Sequence, residues 1–514
     1  METMAKTSNE NIAKVVTMDE PSISMVEKAA AIDLQNADLA LQILYDIDVS
    51  PEEVAAVDEK AFLSKVDLRM LPIMFTAVML FSFDKSTLSY SSVMGIRDDA
   101  HLSSGEYAWL GSIFSLGYLV SNLPCAIMIQ KAPLSKWIVV MMSIWGVILA
   151  LMAVGRNFGQ LFAIRLLLGI FEASITPTFV VITGMWYKRD EQAKRLGIWY
   201  AGSGLASVVG APIAYAIDGS PRTGVLVSWK FLYVLSGALT VLVAIVFFFM
   251  VPDSQRSASF LSPAEKVYAI ERLRVNQQGI GNRKFKWYQM RELLLDPRTY
   301  LFFGIQFVAN IGWGATSTFS PLLIKALGYS SRNALILNMP KGAVIFVSVL
   351  VACYMADRMK DKTLWAAISA TIGMIFGALC FGLQHKSSAG ALAAFSLSEA
   401  STPLYILTFS MVSENTAGHT KKLLTNAILL VGSTTGTLTG PQITKNDPTY
   451  ARVKVLITVC PAICLVFIML LRFLNMRANR RRDAAQAAQG YNHVENSEFL
   501  DLTDVENPEF RYAK

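Results

Sequence analysis

The chain has 514 residues, of which 53% are hydrophobic and 17% charged, with a formal net charge of +7 and a mean hydropathy of +0.41. Soluble proteins carry about 25% charged residues. Here the apolar residues come in blocks of about 20, long enough to cross a hydrocarbon core of ~30 Å as a helix. This composition excludes a soluble globular protein and indicates an all-α membrane protein. Cytoplasmic loops account for the positive charge, so we infer no nucleic-acid partner.

Several kinds of chemistry find no support in the sequence. There is no Walker loop, which argues against ATP as the direct energy source, and no cluster with the spacing of metal ligands. The cysteines all fall in predicted spans, so no disulfide framework is implied: Cys125, Cys353, Cys380, Cys460 and Cys464. We therefore expect neither an enzyme nor a cofactor or metal.

Residues 1–66 form a polar tail, predicted to be mostly disordered and without a signal-peptide core. Its one helix start is Ser50-Pro51-Glu52-Glu53, with an N-cap Ser, Pro at the first helical position and Glu at the third. Twelve apolar segments, called spans 1 to 12, follow near residues 69–93, 106–130, 134–154, 158–186, 193–218, 228–251, 299–323, 335–356, 363–383, 389–412, 422–443 and 453–474.

The spans divide into two bundles of six, at 67–251 and 299–474, separated by a hydrophilic stretch at 252–298. In that stretch Ser262-Pro263-Ala264-Glu265 starts a helix. Val267, Ile270 and Leu273 then recur at helical spacing, which predicts an amphipathic helix on the membrane surface or the bundle. The tail 475–514 is basic first and acidic later, and we predict that it is disordered.

Charge on the loops predicts the orientation. The Lys and Arg residues of the short loops divide equally between the two sides of the membrane. The central loop and a basic cluster after span 12 both lie on the N-terminal side, which places both termini in the cytoplasm. The cluster is Arg477, Arg480, Arg481 and Arg482.

In the first half of the chain, four charged residues lie well inside predicted spans: Asp84 and Lys85 in span 1, and Arg165 and Glu172 in span 4. A charge at the bilayer centre costs roughly 2.5–3.5 kcal/mol, so such residues normally face a protein interior or a watery cavity. Arg165 and Glu172 are seven residues apart and share one helix face, about 10 Å apart along the axis. Their pattern predicts a proton-coupled site, with Asp84 and Glu172 carrying protons and Lys85 and Arg165 meeting a substrate anion.

Structural alternatives remain for these charges. Arg165 and Glu172 could form a charge network between helices, and span 1 could end early and leave Asp84 and Lys85 near the surface. Gly169 would allow a neighbouring helix to approach closely, and Pro177 could kink span 4. We expect no mid-span acid in the second half that is comparable to Asp84 and Glu172, although Lys325 and Lys341 flank spans 7 and 8.

Neutral polar residues at membrane depth are candidate substrate contacts, although each alone could be a helix–helix hydrogen bond or simple packing. They are Tyr118, Gln306, Asn310, Asn338, Tyr405 and Asn426.

Two six-span bundles around a long loop are the plan of the major facilitator superfamily. The loop Ala356-Asp357-Arg358-Met359-Lys360-Asp361-Lys362 resembles the superfamily's Asp-Arg-x-Gly-Arg-Lys motif, and Asp357 and Arg358 are its candidate conformational residues. The equivalent loop of the first half, 129–136, has lost the acidic residue. In span 5, Gly210-Ala211-Pro212-Ile213-Ala214-Tyr215 matches the superfamily's antiporter element imperfectly, which weakens a drug-efflux function.

More closely, the chain from Lys65 to Phe473 resembles the fungal allantoate-permease group of the anion:cation symporter family. The motifs that carry the resemblance are Lys65-Val66-Asp67-Leu68-Arg69-Met70-Leu71-Pro72, Phe83-Asp84-Lys85-Ser86-Thr87-Leu88-Ser89-Tyr90, Arg165-Leu166-Leu167-Leu168-Gly169-Ile170-Phe171-Glu172-Ala173, Trp186-Tyr187, Asn415-Thr416-Ala417-Gly418-His419-Thr420-Lys421-Lys422, Asn426 and Gly440-Pro441-Gln442.

The resemblance implies proton-driven import of a small organic anion or related nutrient, of the allantoate or ureido acid, small peptide or vitamin carboxylate class. It implies proton carriers at Asp84 and Glu172, anion contacts at Lys85 and Arg165, and a substrate contact at Tyr118. Many relatives have arginine where this chain has Lys85, so bidentate carboxylate binding is lost there.

We expect a monomer in the plasma membrane whose partners are a small solute, protons and the lipid bilayer. Two other functions remain open, an exporter of a secondary metabolite or drug and a nutrient sensor that does not transport. A sensor would be expected to carry a long structured tail, and neither tail has that character.

Overall fold

The computed structural model describes residues 49–219, 227–255, 257–277, 286–447, 449–487, 503–507 and 509–513. Residues 1–48 and 488–502, for which the sequence predicts disorder, lie outside these ranges.

All twelve predicted spans fall on helices, three of them interrupted. The helices are Glu59–Val93 (span 1), Ser104–Lys131 (span 2), Leu134–Leu151 with Met152–Val154 (span 3), Phe158–Glu172 and Ile175–Trp186 (span 4), Arg189–Gly219 (span 5), Ser228–Met250 (span 6), Pro297–Ala326 (span 7), Ser331–Ile336 and Met339–Met359 (span 8), Lys362–Leu383 (span 9), Ser388–Ser398, Glu399–Ser401 and Pro403–Asn415 (span 10), His419–Thr444 (span 11) and Ala451–Gln486 (span 12). Shorter helices are Pro51–Ala55, Ile96–Asp99, Pro263–Gln277 and Trp287–Leu295. Within the described ranges, eight spans are long and apolar enough to cross a membrane, and spans 2, 7, 10 and 11 fall short of that limit.

Proline explains the three interruptions. A proline in a helix lacks the N–H that would bond to the carbonyl four residues earlier, and its ring clashes with that carbonyl. Pro177 lies four residues after Ala173, which is in the gap of span 4. Pro340 lies four residues after the end of Ser331–Ile336, and Pro403 lies four residues after Glu399, where span 10 tightens into a 3₁₀ turn. The kink predicted from Pro177 is therefore confirmed as a break just after Glu172.

Glycine lets the helices of the first half approach closely. A Cβ on Gly169 would lie 2.1 Å from the carbonyl oxygen of Phe114, and one on Gly117 would lie 2.3 Å from that of Leu166. Spans 2 and 4 therefore touch backbone to backbone, as the sequence predicted for Gly169.

The two halves meet at the end of the bundle where span 1 ends and span 2 begins, here called the distal end. The Tyr107 hydroxyl donates a 2.9 Å hydrogen bond to the carbonyl of Thr318. The Ser112 hydroxyl donates to the carbonyl of Leu438 and accepts from the Gln442 amide. Spans 2, 7 and 11 therefore close the distal end.

Residues 49–62 belong with residues 255–272 in a small compact unit of their own. Ser50 and Glu53 form the predicted capping box, and Ser262 and Glu265 cap the second helix in the same way. Inside this unit the Phe62 ring packs edge-on against Tyr268.

The C-terminal tail is more ordered than predicted. Span 12 continues as helix to Gln486 instead of ending near residue 474. The described residues of the segment 503–513 pack against the starts of spans 7 and 11 and the end of span 12. Lys421 at the start of span 11 lies 2.8 Å from Asp504. The prediction of a disordered tail is wrong for these residues, because acidic and aromatic tail residues contact basic side chains of spans 7, 11 and 12.

Tyr512 anchors this segment. Its ring lies 3.9 Å from the Arg298 guanidinium and 4.7 Å from that of Arg482, and its hydroxyl donates to Asp504. The side chain is 3% exposed. Burial, reinforced by the neighbouring Asp504, raises the pKa of the Tyr512 phenol, so the hydroxyl stays a donor.

We predict that Tyr512→Ala lowers the free energy of unfolding by about 3 kcal/mol, the usual loss for a buried aromatic side chain. The measurement is thermal unfolding of the purified protein in detergent. Tyr288→Ala is the matched control, because Tyr288 is 46% exposed. Equal unfolding midpoints for the two variants would show that the tail segment is not packed as described.

Candidate functional site

A cavity of about 250 Å³ lies between the two halves and is lined by residues from both. Span 1 contributes Lys85 and span 4 contributes Arg165, while spans 7, 8 and 10 contribute the polar side chains that face them. The cavity therefore combines charged and polar side chains with an apolar wall, and it lies where transporters bind their solutes, between the two repeats.

Lys85 of span 1, which is 21% exposed, forms an ion pair with the buried Glu172 of span 4, with Nζ and Oε1 3.7 Å apart. The sequence paired Glu172 with Arg165 on its own helix, and the structure pairs it with Lys85 across two helices. Among the described residues, neither Glu172 oxygen has a hydrogen bond of ordinary geometry. Its charge is therefore balanced mainly by Lys85.

Asp84 lies behind the cavity wall and is almost fully buried. The Trp145 indole nitrogen donates a 2.9 Å hydrogen bond to Asp84 Oδ2, and the carboxyl groups of Asp84 and Glu172 are close enough to interact directly. Arg165 attracts the Asp84 carboxylate. Because span 1 continues to Val93, the alternative in which it ends early and leaves Asp84 near the surface is wrong.

Four aromatic rings surround the Lys85 ammonium group. Its Nζ lies 3.6 Å from the centre of the Phe81 ring and within 6 Å of three other rings, those of Phe114, Tyr118 and Trp313. Ring faces attract cations, most strongly where water is scarce. Phe114 and Tyr118 come from span 2 and Trp313 from span 7, so both halves contribute rings to the surroundings of Lys85.

Arg165 has unused hydrogen-bonding capacity on the cavity wall. One terminal nitrogen donates to the Tyr233 hydroxyl at 3.1 Å. In the described part of the chain Arg165 Nε is buried with no acceptor. A buried donor without an acceptor costs about 1–3 kcal/mol, so this position favours an incoming anion.

The structure separates the neutral candidates. Tyr118, Asn310, Asn338 and Tyr405 line the cavity. Gln306 lies behind the wall, where its amide nitrogen donates to the Tyr405 carbonyl and its oxygen accepts from Asn310. Asn426 donates to the Lys422 carbonyl on its own helix. Among the residues that the structure describes, it is not one of those that line the cavity. The prediction of direct substrate contact is thus unsupported for Gln306 and Asn426, whose amides the protein itself engages.

In the loop motif after span 8, Asp357 and Arg358 are exposed, and the Arg358 guanidinium donates a hydrogen bond to the Tyr354 hydroxyl one turn back. Their conformational role stays a prediction. Asp361 caps span 9 and accepts a 2.6 Å hydrogen bond from Arg472 of span 12. Burial acts to raise the pKa of Asp361, but the hydrogen bonds from Arg472 and the Leu364 amide outweigh it and lower that pKa.

The sequence missed a second buried ion pair. Lys341 and Glu399 lie 3.1 Å apart and both line the cavity, so the expectation that the second half has no comparable mid-span acid is wrong. The signal was present, because Glu399 lies in the middle of span 10 and four residues before Pro403.

Comparison with known proteins identifies the family. A family model for the Major Facilitator Superfamily matches residues 74–441. The chain belongs to the major facilitator superfamily. This transporter is 36% identical over 483 residues to the allantoate permease of Saccharomyces cerevisiae, covering 91% of this chain and 88% of that one. It is also 30% identical to a thiamine pathway transporter of the same yeast, in an alignment of 534 positions that covers 100% of both chains. The predicted family is confirmed. The prediction that the protein is a membrane transporter and not an enzyme is confirmed with it.

Solved structures support the fold. A bacterial homologue of the human lysosomal transporter Spinster, inward-facing and unoccupied, aligns with a TM-score of 0.59 at 18% identity, covering 78% of this chain and 96% of that one. The xylose transporter XylE of E. coli, in a partially occluded inward-open conformation, gives the same TM-score at 14% identity, with 78% and 97% covered. At these identities the likeness concerns the fold alone.

We predict that the partners of Glu172 can be ranked by double-mutant cycles on thermal stability. Lys85→Met should lower the free energy of unfolding by about 3 kcal/mol, because it leaves a buried carboxylate unpaired. Adding Glu172→Gln should recover most of that loss. The same cycle with Arg165→Met is the control and should give a smaller coupling energy, and equal coupling energies would contradict the pairing observed here.

Proposed function

We propose that this transporter is a proton-coupled symporter that imports a small organic anion by alternating access. The observation that carries the proposal is the Lys85–Glu172 ion pair beside the cavity, with Asp84 next to it. The yeast allantoate permease supports an organic acid as the solute. Asp84 and Glu172 are the proposed proton carriers, and Lys85 and Arg165 the proposed anion contacts.

Competition for Lys85 links the proton to the substrate. A carboxylate that enters the cavity is attracted to Arg165 Nε and to the Lys85 ammonium group. If Lys85 turns to the substrate, Glu172 loses the partner that balances its buried charge. An unpaired buried carboxylate is several kcal/mol less stable than a paired one, so Glu172 takes up a proton when the anion binds.

Charge balance gives the proposed stoichiometry. On and directly behind the cavity wall the described residues carry three acids and three bases, which are Asp84, Glu172 and Glu399 with Lys85, Arg165 and Lys341. The empty site is therefore neutral when all six are charged. One proton with each singly charged anion keeps it neutral, and this balance favours a one-to-one symport.

The proposed orientation has both termini in the cytoplasm, which makes the distal end the exterior side. The contacts of Tyr107 and Ser112 across the two halves then close the exterior side. The remaining parts of the proposal are the plasma membrane as the location and a monomer as the functional unit.

We predict that Glu172→Gln abolishes gradient-driven accumulation of labelled allantoate in proteoliposomes, because an amide cannot carry the proton. Exchange of preloaded allantoate should remain, since it needs no net proton movement. Glu106→Gln is the matched control, because Glu106 serves in the capping box at the start of span 2, a role that Gln can also fill. Accumulation by Glu172→Gln at the wild-type level would exclude Glu172 as the proton carrier.

A further inference from the structure

The second half contains an ion pair whose position resembles that of Lys85 and Glu172. Lys341 Nζ lies 3.1 Å from Glu399 Oε1, and the side chains are 11% and 8% exposed. Each lies where its span is interrupted, Lys341 just after the gap in span 8 and Glu399 at the 3₁₀ turn of span 10. Glu172 likewise ends the first part of span 4, so the fourth helix of each half carries a glutamate at its break.

This second pair has capacity for a ligand. The 3.1 Å contact does not have hydrogen-bond geometry, and among the described residues Glu399 Oε1 has no hydrogen-bond donor. Ser398, Ser401 and Thr402 lie beside it on the cavity wall. Interrupted helices that present polar groups to a cavity are where transporters of this type bind their solutes.

We propose that Lys341 and Glu399 form a substrate subsite that takes an uncharged amide or ureido group. In this subsite the ligand carbonyl accepts from the Lys341 ammonium group and a ligand N–H donates to the Glu399 carboxylate. The inference rests on the proposed function, because the other end of the ligand is the carboxylate held by Lys85 and Arg165. Lys341 and Glu399 are thereby specificity-determining residues.

Charge favours this group over a second carboxylate. The Lys341–Glu399 pair is already neutral as a whole. An amide has a carbonyl that accepts from Lys341 and an N–H that donates to Glu399, so it matches both members of the pair. A second carboxylate on Lys341 would displace Glu399 and leave its charge buried without a partner, which is strongly unfavourable. A hydrocarbon end would leave both charged groups without new hydrogen bonds. The subsite should therefore select acids with an amide-type far end over diacids.

Succinamate and succinate test this selectivity in the wild-type protein, because they differ only in whether the far end is a carboxamide or a carboxylate. The measurement is competition with labelled allantoate uptake into proteoliposomes. We expect succinamate to inhibit at concentrations at least tenfold lower than succinate. Equal inhibition, or stronger inhibition by succinate, would overturn the subsite.

Variants test the residues. Glu399→Gln should reduce the succinamate preference to within about twofold. Glu414→Gln is the control on the same span, since Glu414 pairs with Lys362 away from the described cavity wall. A preference that persists in Glu399→Gln would overturn the assignment. If that variant does not fold, the preference is measured in Glu399→Asp, where the shorter side chain should weaken it and an unchanged preference counts against the subsite.

The two proposals fail in different ways. Wild-type protein that shows no gradient-driven accumulation contradicts the proton-coupled function, and the subsite is then decided by thermal stabilisation of the purified protein. Stabilisation by succinamate at lower concentration than by succinate supports the subsite, and any other order, or none, refutes it.

Discussion

Balance of buried charge is the constraint on which this site depends. An ion at membrane depth is tolerated only when an opposite charge or a watery cavity is beside it. Lys85 balances Glu172 and Lys341 balances Glu399, while Arg165 attracts Asp84. The same balance gives the site its sensitivity, because an anion that engages one of the bases leaves an acid that must be neutralised.

The sequence predicted most of the fold because the signals are local. A run of apolar residues is enough to predict a span, and Ser50 and Ser262 show their helix starts in four consecutive residues. Pro177 is enough to place the break in span 4. Each of these features depends on interactions within a few residues of the chain, so one sequence contains the information.

The partners within the site could not be predicted in this way. Sequence spacing put Glu172 with Arg165, seven residues away, whereas packing of span 1 on span 4 brings Lys85 to it. Lys341 and Glu399 are 58 positions apart (399 minus 341), and their contact requires the relative rotation of two helices. The tail shows the same limit, because Tyr512 is buried only through Arg298 and Arg482, which lie on separate helices.

The location of the ion pairs bears on how the halves can move. Lys85 and Glu172 both belong to the first half, and Lys341 and Glu399 both belong to the second. Rocking one half against the other therefore separates neither of these two ion pairs, and separating either would cost several kcal/mol. The hydrogen bonds from Tyr107, Ser112 and Gln442 that join the halves at the distal end are neutral and worth about 1 kcal/mol each, and Arg97 of the first half also hydrogen-bonds to Tyr450 of the second. A substrate that reaches both ion pairs would join the halves through charged groups, so occupancy of the cavity would favour closure of the halves around it.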